Sequence, residues 1–141
     1  MNALVVGHAE PAAALTSALV EQGFEAELHA VPRQDPERAI PELAAALVEL
    51  ESRLERERPA LVVAVGVGDA PLALALTAGK LGIPLVAWAE SQGPGAPGLA
   101  EAERRILAVL ADLDAGEVGD GVAAFAAAER IAAWADLELG S

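Results

Sequence analysis

The stretch Pro59–Glu90, PALVVAVGVGDAPLALALTAGKLGIPLVAWAE, decides the fold. It reads as an apolar strand (Leu61 to Val65), a glycine-rich turn closed by Asp69, an apolar helix, a Gly-Ile-Pro turn and a second apolar strand (Leu85 to Ala87). Two strands with no polar face, joined through a helix, form a βαβ unit whose strands run parallel and are covered on both sides. Asp69 reads as the N-cap of a helix beginning near Pro71, since a short carboxylate there satisfies free backbone N–H groups.

Outward from this unit the alternation continues. Ala3 to Val6 is a short apolar strand ending at Gly7, and a helix follows from Pro11 to Gln22 with Gly23 as its stop. Phe24 to Ala30 alternates apolar and polar residues, as an edge strand does, and leaves His29 on the exposed side. Val31 to Ile40 is a loop; Ile40, Leu43, Leu47, Leu50 and Leu54 then mark one apolar helical stripe. Ser91 to Gly98, SQGPGAPG, is too rich in glycine and proline for regular structure and reads as a flexible loop. Two related pieces finish the chain, ERRILAVLADLDAG and ERIAAWADLELG, each expected to be a helix running into a short strand at Ala-Asp-Leu. The sum is an α/β fold over residues 1–141: a three-layer, doubly wound, Rossmann-like parallel sheet of order 2-1-3-4-5-6.

Composition sets the chemistry. With 141 residues, the chain is long enough to bury a core without metals or disulfides. Hydrophobic residues make up 54% but aromatics only 3%, so the core must be aliphatic and alanine-rich. The absence of cysteine excludes disulfides, thiolate metal sites and cysteine nucleophiles. Nine Lys and Arg against 22 Asp and Glu give a net charge of −13, which repels nucleic acid and anionic membranes. No apolar run reaches the roughly 18 residues a membrane span needs, and the start lacks a basic leader, so a cytoplasmic location is expected.

In the order 2-1-3, the loops after strands 1 and 3 meet where the winding reverses, the usual ligand crevice of such sheets. Those loops are Gly7-His8-Ala9-Glu10 and Gly66-Val67-Gly68-Asp69. Both lead into helix N-termini, where backbone N–H groups favour an anion. Gly7, His8, Gly66 and Gly68 are therefore candidate ligand-binding residues for a phosphate-bearing small molecule. No bound cofactor is called for: the dinucleotide fingerprint lacks its third glycine and there is no phosphate-loop GxxxxGK[ST]. Two distant histidines make no metal site, and Ser17, Ser52, Ser91 and Ser141 have no GxSxG context. Arg104 and Arg105 could hold a diphosphate or pair with Glu101. Trp88 is expected in the core, and Phe125 and Trp134 on the sheet or a partner subunit.

The central segment resembles the amino-terminal domain of the non-hydrolysing UDP-N-acetylglucosamine 2-epimerases. Gly68-Asp69-Ala70 is similar to the family's Gly-Asp-Thr, Ile83-Pro84-Leu85 to its Ile-Pro-Val, and Glu90 to the glutamate of its His-Val-Glu-Ala-Gly. Leu99 to Arg104 resembles its Pro-Glu-Glu-x-Asn-Arg helix, and Ala111-Asp112-Leu113 the Ala-Asp-Leu that follows. The chain differs in having His8-Ala9 where the family has an arginine after strand 1, and Trp88 for the histidine before the glutamate. Two-domain (GT-B) glycosyltransferases share the architecture. The resemblance implies a half GT-B domain related to sugar nucleotides, with Asp69, Glu90 and Glu101 in the places of carboxylates that serve proton transfer at the sugar C2. It also implies that a homo-oligomer or a separate second-domain subunit completes the site; if the chain is an enzyme, it is epimerase-like or part of a glycosyltransferase. Two other readings fit the residues: a non-catalytic oligomerisation scaffold, and a flavodoxin-like module for a small anion or nucleotide.

Overall fold

Leu61–Val65 (β3) and Leu85–Ala89 (β4) lie side by side and parallel, with Val62 opposite Leu85 and Val65 opposite Trp88. The computed structural model describes residues 1–31, 39–89 and 98–140. On the other side of β3 runs β1 (Asn2–His8), and beyond it β2 (Glu25–Val31); β5 (Leu113–Glu117) pairs with the far edge of β4. The sheet has five parallel strands in the order β2-β1-β3-β4-β5.

The helices are α1 (Ala9–Glu21), α2 (Ala39–Glu57), α3 (Asp69–Leu81), α4 (Gly98–Leu110) and α5 (Gly121–Glu138). The strict period of two along a strand divides each apolar run between two cores. Ala3 and Val5, Leu61, Val63 and Val65, and Val86 and Trp88 face α1 and α5; Leu4 and Val6, Val62 and Ala64, and Leu85 face α2, α3 and α4. This is why β3 and β4 read as continuous apolar runs: neither face meets water. The α1–α5 side is built largely from Ala12, Ala18, Ala124, Ala127 and Ala128 around the fully buried Trp88. Small residues let helices approach, and Trp88 fills the space they leave; truncating such a side chain to alanine typically costs about 3–5 kcal/mol.

Gly23 has φ +97°, the left-handed conformation that stops α1, and Gly82 does the same for α3 with φ +71°. On α2 the expected stripe is buried only towards its C-terminal half, at Leu50 and Leu54; Ile40 is exposed. The first Ala-Asp-Leu piece does run from helix into strand. Asp112 fastens it, taking the Leu85 N–H on its side chain at 2.8 Å and giving its own N–H to the Leu85 carbonyl at 2.8 Å.

The second piece is a correction. Asp136, Leu137 and Glu138 form the last turn of α5, and among the described residues there is no sixth strand. Ala124, Ala127, Ala128, Ile131 and Ala135 make an unbroken buried stripe against the α1 face, so the alanine-rich helix simply continues. The expected loop 91–98 lies outside the described residues, except for Gly98, which opens α4. No described helix is long and apolar enough to cross a membrane.

Candidate functional site

A cavity of about 370 Å³ opens at the carboxyl ends of β1, β2 and β3, against the part of α2 from Glu42 to Leu50. Gly7 and His8 bring β1 to it, His29 brings β2, and Gly68 and Asp69 bring the turn after β3. The crevice expected from the strand order is therefore present, with both glycine-lined bends on one cavity.

Each bend has a local cause. At Gly7 the strands converge so closely that no side chain fits. After β3, Gly66 (φ +83°) and Gly68 (φ +139°) take conformations that other residues avoid. The Gly66 N–H donates to the Trp88 carbonyl at 2.8 Å, which ties the bend to the end of β4, and Gly66 itself does not line the cavity. Gly68 is the N-cap of α3 and Asp69 its first residue, so Asp69 is not the side-chain cap that the sequence predicts. Its carboxylate still stands in the first turn, where the helix dipole favours negative charge.

Two effects oppose that dipole. Burial raises the Asp69 carboxyl above the ordinary aspartate range, and the charge of Glu42, on the α2 wall, raises it further. A second carboxylate reaches the bend from α4. Burial raises Glu103, the Asp69 charge adds to it, and a hydrogen bond accepted from the Gly68 N–H opposes both. Three cavity-lining carboxylates (Glu42, Glu49, Asp69) and two imidazoles (His8, His29) make a wall that accepts and donates hydrogen bonds, and among the described residues no Lys or Arg lines it. Such a wall suits hydroxyl-bearing ligands better than a bare phosphate. No described group of three or more His, Asp or Glu residues is placed to hold a metal ion.

Of the sequence-predicted site residues, Gly7, His8, Gly68 and Asp69 come together here. Glu101 and Arg104 do not line the cavity; they pair on α4, with Arg104 Nη2 2.7 Å and Arg105 Nε 3.1 Å from Glu101 Oε1. The arginines hold the Glu101 carboxyl below the ordinary glutamate range, chiefly through the Arg104 hydrogen bond. Glu90 lies outside the described residues. His29 is not simply exposed: its side chain is 15% accessible, and Arg53 Nη1 lies 2.8 Å from its Nδ1. Glu42, Glu49, Glu103 and His29 are site residues that no local motif announces. Only Glu42 and Glu49, seven residues apart, carry a signal, as a polar row on the amphipathic α2.

No family model and no curated protein matches the sequence. In fold, the chain is similar to solved UDP-N-acetylglucosamine 2-epimerases. The enzyme from Methanocaldococcus jannaschii superposes with a TM-score of 0.64 at 17% identity, over 93% of this chain and 43% of that one. The enzyme from Neisseria meningitidis, solved bound to UDP-GlcNAc, gives 0.62 at 19%, over 81% and 39%. The chain thus spans about two fifths of the length of these epimerases. An esterase domain of a Rhodothermus marinus protein is also similar, with a TM-score of 0.55 at 14% identity, over 95% of this chain and 85% of that domain. Among the described residues, no serine lines the cavity. At these identities the likeness is one of fold.

Proposed function

We propose that this chain is a sugar-nucleotide-related domain whose rim cavity takes the glycosyl part of a nucleotide sugar, in a site completed by a second copy or a second-domain subunit. The observation that carries this reading is that His8 and Asp69 line one cavity at the β1–β3 reversal, in a fold similar to that of UDP-N-acetylglucosamine 2-epimerases. The cavity's carboxylates and imidazoles supply partners for sugar hydroxyls. The diphosphate, which they would repel, is assigned to the partner side.

Asp69 is the candidate proton-transfer group. A carboxyl raised by burial and a neighbouring negative charge is a stronger base than an ordinary aspartate, as removal of a proton from carbon requires. By resemblance, Glu90 is its companion. Glu101, held by two arginines, is better placed to stiffen the first turns of α4 than to move a proton.

The test is a thermal-shift and calorimetric titration with UDP, UDP-GlcNAc, FMN and NAD. At a hundredfold excess over the dissociation constant, a specific ligand stabilises by about 2.7 kcal/mol. Stabilisation by UDP-GlcNAc above UDP supports the reading, and a response to FMN alone would favour the flavodoxin-like module. No response to any nucleotide would favour the scaffold reading, which draws on the exposed apolar residues Ile106, Val109 and Leu110 of α4. Light scattering tests self-association; a monomer would leave completion of the site to a different chain.

A further inference from the structure

We infer that Arg53, which does not line the cavity, is a positioning residue that holds His29 as the neutral imidazole protonated at Nε2, making this N–H a hydrogen-bond donor for a ligand oxygen. The argument begins with what a guanidinium can do. All its N–H groups donate and none accepts. Arg53 Nη1 stands 2.8 Å from His29 Nδ1, so Nδ1 is the acceptor and the ring proton is on Nε2. The tautomer follows from the partner.

Arg53 is itself fixed from two other directions. Its Nε donates to Glu57 Oε2 at 2.8 Å and its Nη2 to Glu27 Oε2 at 3.0 Å. The planar fork therefore presents Nη1 to His29 in one orientation. The far edge of the ring faces Glu49, with Nε2 3.7 Å from Oε1, too long for a hydrogen bond. His29 and Glu49 both line the cavity, so a donor and an acceptor stand together on its wall. Two adjacent hydroxyls of a sugar would match that pair. The tautomer lock stands on the geometry alone, whereas the ligand role rests on the nucleotide-sugar reading above.

The chain has two histidines, so long-range proton–nitrogen correlation of 15N-histidine-labelled protein reads both rings, with His8→Gln assigning them. The expected result is an Nε2–H pattern for His29 in the unliganded wild type, averaging between tautomers in Arg53→Met, and restoration in Arg53→Lys, whose ammonium is also donor-only. An Nδ1–H or mixed pattern in the wild type, or no change in a folded Arg53→Met, overturns the lock. Titration of the same proteins with UDP-GlcNAc and UDP tests the ligand role. Arg53→Met should bind UDP-GlcNAc about tenfold more weakly, with UDP unchanged. A shifted tautomer with unchanged UDP-GlcNAc affinity overturns that role. A wild type that binds neither probe removes the nucleotide-sugar reading and the ligand role with it, while the tautomer measurement still decides the lock.

Discussion

Gly7 lies so close to Val65 that a Cβ on it would stand 2.7 Å from the Val65 Cβ and 2.8 Å from the Val65 carbonyl oxygen. One of these neighbours is backbone, so the contact cannot be relieved by turning a side chain. Gly7→Ala should therefore destabilise the fold by about 1–3 kcal/mol, the usual cost of overpacking. Urea denaturation measures this. The same variant pushes β1 and β3 apart where the cavity opens, so its ligand affinity should fall even where the protein remains folded.

A second prediction concerns α5 alone. Asp120 caps this helix, its Oδ1 accepting the N–H groups of Val122 at 3.0 Å and Ala123 at 3.1 Å. Asp120→Ala should cost about 1 kcal/mol of stability. Because α5 packs on the face opposite α2 and α3, the affinity for UDP-GlcNAc should not change. A change in affinity without a loss of stability would contradict the layer assignment of the cavity.

The strands, the layers and the two glycine bends were legible because they rest on local signals. Leu61–Val65 and Leu85–Ala89 lack any polar face, and Gly66 and Gly68 mark a bend that other residues avoid. The two Ala-Asp-Leu pieces could not be told apart locally. The first meets the open edge of β4 and is tied there by Asp112; the second follows a buried alanine stripe and remains helix. Tertiary context decides between them, not propensity. The contacts of His29 and Glu103 were illegible for a related reason. Arg53 lies 24 residues from His29, and Gly68 is even further from Glu103, so each contact appears only once α2 and α4 are laid over the sheet.

Glu103 gives a pH prediction. Burial and the Asp69 charge raise its carboxyl in the folded protein. A raised acid contributes stability that is present below its unfolded value, about 4.3, and is lost as pH rises through the folded one. At neutral pH the ionised side chain is thus a net cost. Glu103→Gln removes the charge and keeps an oxygen to accept the Gly68 N–H. The variant should be more stable than wild type by about 0.5 kcal/mol at pH 7, with the gain disappearing as pH falls below the carboxylate range. Urea midpoints at neutral and acidic pH decide it; a loss of stability at pH 7 would mean that the charged hydrogen bond to Gly68 outweighs the repulsion. Glu101 has the opposite sign. Its lowered carboxyl stabilises above the ordinary range, and that contribution is lost as pH falls through the folded value.

The last prediction separates the two ends of a nucleotide sugar. Asp69 stands at the N-terminus of α3, where a diphosphate would be welcome but for the carboxylate itself. If the diphosphate lay there, Asp69→Asn would remove a repulsion and both UDP and UDP-GlcNAc would bind more tightly. If the glycosyl group lies there, the carboxylate accepts its hydroxyls, and the weaker amide should reduce UDP-GlcNAc affinity about tenfold while leaving UDP unaffected. The second outcome is expected, because Glu42 and Glu49 share the cavity with Asp69 and no Lys or Arg among the described residues lines it. Glu101→Ala is the control: its side chain is paired on α4, away from the cavity, and the affinity of both ligands should remain that of the wild type. Calorimetric titration of the two variants with the two ligands gives four comparisons, and tighter UDP binding by Asp69→Asn would place the phosphates, not the sugar, against α3.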